Sequence, residues 1–200
     1  MVLLIILLVI NTYAATFKIN IGKYNFEENC SIVIQYPKQT ICYDNKLHIT
    51  IATYIIIDKR ALEHQNKRLS FRDDKNTGDY VKKCYVKSGY DRSHLAISSF
   101  FDYNINLLRY KYLMSNVVPE TAYTNRQLVR KVELQISNLL KTHNYLQEVI
   151  IIKPSNKYLK GNVNCPIIPS NRHMFVFDEN GTLLLNKIII NRSKTQKEVE

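Results

Sequence analysis

The chain begins with an unbroken apolar run and then changes to short alternating segments. Residues 1–10 are all apolar, and polar residues interrupt the run before Ala14. Such a run is shorter than the roughly 20 residues that cross a bilayer, and small residues at Thr12 and Ala14 are typical of a signal-peptidase site. We therefore predict an export signal at residues 1–14, although no Lys or Arg precedes Lys18. The alternative is a buried N-terminal strand or a short anchor.

Alternation of apolar and polar residues predicts strands on both sides of a central helix. In the segment 47–57, isoleucines recur on one face of the predicted strand. Asn180-Gly181 lies between two apolar runs, 174–178 and 182–190, and such a dipeptide predicts a hairpin. We predict further strands at 31–36 and 149–152, a turn entering a strand at 89–96, and a partner for that strand at 112–117.

The central helix is predicted from capping and periodicity. Gln127 follows Thr124 by three residues, which is the spacing of a capping box. Apolar residues then recur at helical spacing and predict the face that packs on the core, namely Leu128, Val132, Ile136, Leu139 and Leu140. Residues 59–78 are rich in charge and predict a surface connection. Strands before and after one helix indicate an α+β fold, with a single domain over residues 15–192 and a polar tail at residues 193–200.

The net charge indicates candidate binding partners, and the cysteines indicate disulfides rather than a zinc site. The formal net charge is +11, and residues 1–17 carry none of it. Such an excess attracts polyanions, so nucleic acid and an anionic membrane surface are both candidate partners. Four cysteines in an exported chain predict one or two disulfides, and three full pairings are open. Because no Cys-x-x-Cys pair occurs, a zinc cluster is not expected.

One segment and the predicted helix together carry residues suited to phosphodiester hydrolysis. Residues 88–96 contain Arg92 and His94, while Asn125 and Glu133 follow on the helix. Taken alone, each residue has an ordinary structural explanation. Together they offer a base near neutral pH, an oxygen ligand and a cation. Magnesium prefers oxygen ligands and keeps most of its waters, so one Asn carbonyl can suffice.

Four ordered blocks resemble the DNA/RNA non-specific endonuclease family, which includes secreted bacterial nucleases and mitochondrial endonuclease G. Residues 91–94 read Asp-Arg-Ser-His, where the family has Asp-Arg-Gly-His. Residues 115–120 read Ser-Asn-Val-Val-Pro-Glu, which is similar to the family's Ser-Asn-x-x-Pro-Gln. Asn125 and Glu133 have the family's spacing of eight residues, and residues 71–74 resemble its Phe-Arg-x-Asp segment. The resemblance implies the ββα-metal (His-Me finger) fold with a central antiparallel sheet.

The resemblance also implies a role for each matching residue. His94 would be the general base, Asn125 would bind Mg²⁺, with Mn²⁺ as an alternative ion, and Glu133 would hold metal-bound water. Asn116 would orient the site. Arginines would contact the phosphate or stabilise developing charge, namely Arg72, Arg92, Arg126 and Arg130. The implied reaction is cleavage of DNA and RNA with little sequence preference, leaving 5′-phosphate ends.

Four departures from the family pattern keep a second hypothesis open. Ser93 replaces Gly, Ile97 replaces Pro, Glu120 replaces Gln, and Val129 stands where many relatives have Trp. The alternative is a catalytically degenerate protein that binds nucleic acid without cutting it. A third reading, binding to anionic membranes, would not need the set of His94, Asn125 and Glu133.

The hypothesis carried forward is a metal-dependent endonuclease with DNA and RNA as partners. The export signal predicts a secreted or periplasmic protein with no stable membrane insertion. Family members are often dimers, so a homodimer remains open.

Overall fold

The computed structural model describes residues 15–63, 65 and 68–195, and these form ten strands and two α-helices. The predicted signal at residues 1–14 and the last residues of the tail, 196–200, lie outside this range. In chain order the elements are β1 (Ala15–Ile21), β2 (Tyr24–Cys30), β3 (Ile32–Tyr36), β4 (Gln39–Asp44), β5 (Ile49–Asp58), β6 (Asp91–His94), α1 (Ile105–Lys111), β7 (Val117–Glu120), α2 (Arg130–Leu139), β8 (Tyr145–Tyr158), β9 (Ile167–Phe177) and β10 (Leu183–Ile190). Among the described residues, no helix is long and apolar enough to span a membrane.

The centre of the fold is a six-stranded antiparallel sheet with the order β10-β9-β8-β5-β4-β3. Successive residues of a strand point to opposite faces, and both faces of this sheet are covered. Val149 packs against the β1–β2 hairpin, whereas its neighbour Ile150 belongs to the core beneath α2. The α+β architecture with a central antiparallel sheet is therefore confirmed.

The β1–β2 hairpin covers one face and was not predicted, because polar residues dominate β2. Phe17 and Ile21 are its buried anchors. Its turn contains Gly22, which has a φ of +55°, and a Cβ there would lie 2.9 Å from the Gly181 carbonyl oxygen. The Cys30–Cys42 disulfide joins the hairpin to the sheet. The second disulfide joins Cys84 to Cys165, which resolves the pairing that the sequence left open.

The other face carries α2 and the two-stranded ribbon of β6 and β7. The predicted core face of the helix is confirmed, because Val132, Ile136 and Leu140 are buried and Leu128 and Leu139 pack against the same cluster. The hairpin predicted around Asn180-Gly181 is also confirmed, with β9 and β10 as its strands.

The predicted partner strand at 112–117 was wrong except at its end. β6 pairs with β7, and the register joins His94 to Val117 and Asp91 to Glu120. The Asn116 carbonyl also accepts from the Leu95 N–H at 2.8 Å, just after β6. Residues 112–115 follow α1, an element that was not predicted, and the N–H groups of Leu113 and Met114 are used elsewhere. The Leu113 N–H bonds to Tyr110, and the Met114 N–H bonds to Arg72. Those groups are therefore not available to pair with β6.

The predicted helix start at Thr124 was also wrong. The Thr121 hydroxyl accepts a hydrogen bond from the Thr124 N–H at 3.1 Å, and the Asn125 N–H bonds to the Thr121 carbonyl at 3.0 Å. Thr121 therefore caps the helix, one turn earlier than the sequence pattern indicated. The chain then runs through a π-helical stretch, Thr124–Val129, directly into α2. Such stretches are frequent at functional sites.

Candidate active site

A cleft of about 560 Å³ lies between β6 and the helix that begins at Thr121. It brings together four of the residues predicted for the site: the base His94, the ligand Asn125, and Arg130 and Glu133 from α2. The remaining lining residues come from the loop after β6 and from the charged connection, namely Arg68, Ile97, Ser98, Ser99 and Asp102. The ribbon and the helix thus bring His94 to the same cavity as Asn125 and Glu133, which lie 31 and 39 positions later in the sequence.

The His94 ring is held by aromatic packing. Its centroid lies 5.1 Å from that of Phe71 and 5.1 Å from that of Tyr112, which meets it edge-on. Its Nε2 is buried and has no hydrogen-bond partner among the described residues. The two aromatic contacts therefore fix the ring in position, and His94 is one of the residues that line the cleft.

The surroundings of His94 favour its neutral form. Burial lowers the pKa of His94 to about 4, and the positive charges of Arg172 and Lys111 act in the same direction. Neutral imidazole carries one lone pair that can accept a proton. His94 is therefore ready to act as a proton acceptor at neutral pH.

Two hydrogen bonds hold the Asn125 side chain. Its Nδ2 donates to Asp91 Oδ2 at 2.9 Å, and its Oδ1 accepts from the Ser93 hydroxyl at 2.9 Å. Asp91 is itself bound by Arg126 through two contacts of 2.8 Å. Burial would raise the pKa of Asp91, but the hydrogen bonds from Arg126 and Asn125 outweigh it and leave that pKa below its usual value. A charged Asp91 therefore fixes the amide end of Asn125.

Glu133 and Arg130 form an ion pair on the α2 side of the cleft. Arg130 Nη1 lies 2.8 Å from Glu133 Oε2, and the side chains are 56% and 16% exposed, respectively. Surface pairs of this kind contribute little to stability. Their separation therefore costs little when a ligand enters the cleft.

Three predicted phosphate contacts do not line the cleft. Arg126 is exposed and pairs with Asp91. Arg92 lies over the rings of Phe71 and Tyr85, with its guanidinium carbon 5.5 Å and 5.4 Å from their centroids. Arg72 is exposed and donates to a carbonyl oxygen of α1. These arginines lie beside the cleft rather than in it.

Asn116 is completely buried beneath the site. Its Oδ1 accepts from the Ala96 N–H at 2.9 Å and from Gln39 at 2.6 Å. Its Nδ2 donates to the carbonyl oxygens of Ala96 and Lys111, each at 2.9 Å. Because Ala96 follows His94 by two residues, Asn116 fixes the backbone that carries the predicted base.

The sequence did not identify Arg172, which is fully buried on β9. Its Nε donates to Glu120 Oε1 at 2.8 Å, and its Nη2 donates to the Ser93 hydroxyl at 2.9 Å. A signal was present, because Met174 and Val176 are buried on the same face of β9 and strand alternation places Arg172 with them. The extra charge of Glu120 is thus paired with a buried guanidinium.

Glu148 was also missed, and it lies fully buried on β8. Neither of its oxygens has a hydrogen-bond partner among the described residues. Burial raises the pKa of Glu148 to about 8, against the opposing charge of Arg172. The other two departures from the family pattern, Ile97 and Val129, are buried in the core, and Ile97 also lines the cleft.

The donor set at the cleft suits a hard divalent cation. Within the part of the chain that the structure describes, no cluster of three His, Cys, Asp or Glu side chains could hold a metal. The cleft instead offers the amide oxygen of Asn125 and the carboxylate of Glu133. Magnesium requires few protein ligands because it keeps several waters, so these residues fit such an ion.

Comparisons with known proteins identify the family of the chain. The sequence profile of the DNA/RNA non-specific endonuclease family matches residues 18–197. A chain of the crystal structure of the EndoG/EndoGI complex is similar in fold, with a TM-score of 0.66 and 15% identity over 82% of this chain and 77% of that chain. A search of curated proteins finds no match. Because the family profile covers nearly the whole sequence, the chain belongs to the DNA/RNA non-specific endonuclease family and is a nuclease.

Proposed function

We propose that the protein is a magnesium-dependent endonuclease that hydrolyses phosphodiester bonds in DNA and RNA with little sequence preference. The observation that carries the proposal is a neutral His94 sharing a cleft with the oxygens of Asn125 and Glu133. Chemistry directed at the phosphate carries little information about bases, which supports weak sequence preference.

His94 is the general base in this proposal. Its imidazole takes a proton from the attacking water, and the imidazolium that forms is stabilised once an anionic phosphate lies in the cleft. Phe71 and Tyr112 keep the ring from turning away, and Asn116 holds the backbone that follows it.

Asn125 and Glu133 are the residues that would hold the ion. A bound Mg²⁺, or Mn²⁺ in its place, would neutralise negative charge that develops on the phosphate. Asp91 accepts from the Asn125 amide nitrogen, and the Asn125 carbonyl oxygen, which accepts one bond from Ser93, keeps a second lone pair for a cation. Arg130 and Arg68 line the same cleft and would contact phosphate oxygens of the bound strand.

Plasmid cleavage by a matched set of variants tests the proposal. The wild type, His94→Ala and His143→Ala are incubated with DNA or RNA in Mg²⁺, in Mn²⁺ and in EDTA. His143 is a suitable control because it pairs with Glu179 and does not line the cleft. We expect His94→Ala to lose between about a hundredfold and ten-thousandfold of the activity, and EDTA to stop the wild type.

Three outcomes would contradict the proposal. Cleavage that persists in His94→Ala would point to another base. Cleavage that is insensitive to EDTA would show that the reaction does not require a metal ion. Binding that salt reverses, without cleavage, would favour the degenerate binding protein.

The pH dependence of cleavage gives a second test. Because His94 has a pKa of about 4, it stays deprotonated well below pH 6.5. At low substrate concentration, where the rate is governed by kcat/KM and reports the free enzyme, cleavage should therefore persist down to pH 5 and fall only as the pH approaches about 4. An acid limb near pH 6.5, the ordinary value for His, would contradict the role of the buried environment.

We also propose that the protein is exported. Its four cysteines form two disulfides, which persist in oxidising compartments and are rare in reducing ones. The presence or absence of residues 1–14 at the mature N-terminus, read by mass spectrometry, tests this.

A further inference from the structure

Two positions that depart from the family pattern, Ser93 and Glu120, are joined by one buried side chain. Arg172 donates to Glu120 Oε1 at 2.8 Å and to the Ser93 hydroxyl oxygen at 2.9 Å. A third contact, of 3.2 Å, reaches the His94 carbonyl oxygen. Ser93, Glu120 and Arg172 are each at most 1% exposed. The two substitutions are therefore parts of one hydrogen-bonded unit.

The chemistry of the guanidinium fixes the direction of the next bond. Arginine only donates hydrogen bonds, so the Ser93 oxygen must accept the one from Arg172. The hydroxyl proton of Ser93 is then directed to its other neighbour, Asn125 Oδ1, at 2.9 Å. Asp91 accepts from the Asn125 amide nitrogen at 2.9 Å. The amide of Asn125 is held at both ends, with only one orientation compatible with its partners.

We propose that Ser93, directed by Arg172 and Glu120, is a positioning residue for the side-chain carbonyl of Asn125. This inference rests on the proposed function in one respect, namely that this carbonyl binds the divalent cation. A carbonyl oxygen has two lone pairs, so the bond from Ser93 leaves one for the ion. Hydrogen bonds to a metal-binding group fix its orientation and raise the affinity of the site.

Ser93 and Glu120 both satisfy the same buried guanidinium. A glycine at position 93 would leave the Nη2 of Arg172 without this acceptor in the interior. An uncharged residue at position 120 would leave the charge of Arg172 without its buried counter-ion. Ser93 and Glu120 therefore accommodate Arg172, and Arg172 in turn directs Ser93 towards Asn125.

Direct metal titration tests the inference without using cleavage as the readout. Free Mn²⁺ is measured by electron paramagnetic resonance during titration of the full chain and of Ser93→Ala, Ser93→Thr and Asn125→Ala. We expect Ser93→Ala to weaken Mn²⁺ binding about tenfold, because removing a group that orients a metal ligand typically costs that much or more. Ser93→Thr keeps the hydroxyl and should bind within about threefold of the wild type.

Thermal unfolding without metal shows whether each variant keeps its fold. A folded Ser93→Ala that binds Mn²⁺ as the wild type does, beside an Asn125→Ala that does not, would overturn the inference and leave the proposed function intact. If Asn125→Ala also bound normally, the metal ligand itself would be wrong. A folded Ser93→Thr as weak as Ser93→Ala would also overturn the inference, because the hydroxyl would not be the group that matters.

A double-mutant cycle tests the part played by Arg172 separately. Arg172→Met is combined with Glu120→Gln as one step from the wild type, so that neither charge of the pair is left buried without its partner. If Arg172 acts through Ser93, this step and Ser93→Ala should weaken Mn²⁺ binding no more together than Ser93→Ala does alone. Effects that multiply would show that the two residues act independently and would overturn the link.

Discussion

The two sides of the cleft are built differently. On the strand side, defined as β6 with Glu120 and Arg172 behind it, Glu120 and Arg172 form a buried pair whose side chains are at most 1% exposed. On the helix side, Arg130 pairs with Glu133 and Arg126 pairs across to Asp91 of β6, and the two arginines are 56% and 67% exposed, respectively. Buried pairs fix geometry strongly, whereas exposed pairs separate at little cost. The strand side therefore sets the position of His94, and the helix side can exchange its partners for ligands.

The largest expected effect comes from breaking the buried pair. Arg172→Met leaves Glu120 as a buried carboxylate without its counter-ion and should lower the free energy of unfolding by about 3–5 kcal/mol. Arg126→Met removes an exposed partner of Asp91 and should cost at most about 1 kcal/mol. Urea denaturation of both variants measures the contrast. If both variants lost the same free energy of unfolding, burial would not account for a difference between the buried pair and the exposed pair.

A second prediction concerns Glu148, the buried group near Arg172 that has no hydrogen-bond partner among the described residues. Its pKa is about 8 in the folded protein, against an ordinary value of 4.5. Between these values the unfolded chain loses the proton and the folded chain keeps it, so stability falls as the pH rises, by up to about 1.4 kcal/mol per pH unit.

Glu148→Gln does not titrate, so its advantage over the wild type should grow from about pH 4.5 to about pH 8 and then level off. Unfolding free energies measured at several pH values in that range give the curve. A difference between the two proteins that did not depend on pH would show that burial does not raise the pKa of Glu148.

On the helix side, Glu133→Gln should reduce cleavage between about tenfold and a hundredfold, the usual cost of removing a group that supports a metal site. The fold should be nearly unaffected, because Glu133 makes a surface pair with Arg130. The Mg²⁺ dependence of cleavage, measured beside thermal unfolding, separates the two effects. A lower melting temperature with unchanged Mg²⁺ dependence would assign Glu133 a structural role instead.

The smallest effects are expected for the exposed arginines. Arg126→Ala and Arg130→Ala should each weaken nucleic-acid binding a few-fold, and each should reduce the slope of log affinity against log salt by about 0.7–0.9. The loss should not depend on the base sequence. Lys18→Ala is the control, because this residue pairs with Glu27 in the hairpin on the opposite face of the sheet. A loss of the same size in the control would mean that only net charge matters.

Local patterns predicted elements well where one face is buried. The core face of α2 and the β9–β10 hairpin followed from periodicity and from Asn180-Gly181. Local patterns failed where the backbone groups of a segment form hydrogen bonds with residues outside it. The segment 112–115 looks like a strand but bonds to α1 and to Arg72, and the helix begins at Thr121 because that hydroxyl caps it.

The sequence by itself indicated the family and the mixed architecture, and four of the site residues that it proposed line the cleft, namely His94, Asn125, Arg130 and Glu133. These follow from the order and spacing of motifs, which are properties of the chain. Only the tertiary structure decided that Ser93 and Glu120 meet at Arg172, which lies 79 and 52 positions away along the chain. The surroundings of a buried polar group come from distant strands, so its partners and its pKa exist only once those strands are assembled.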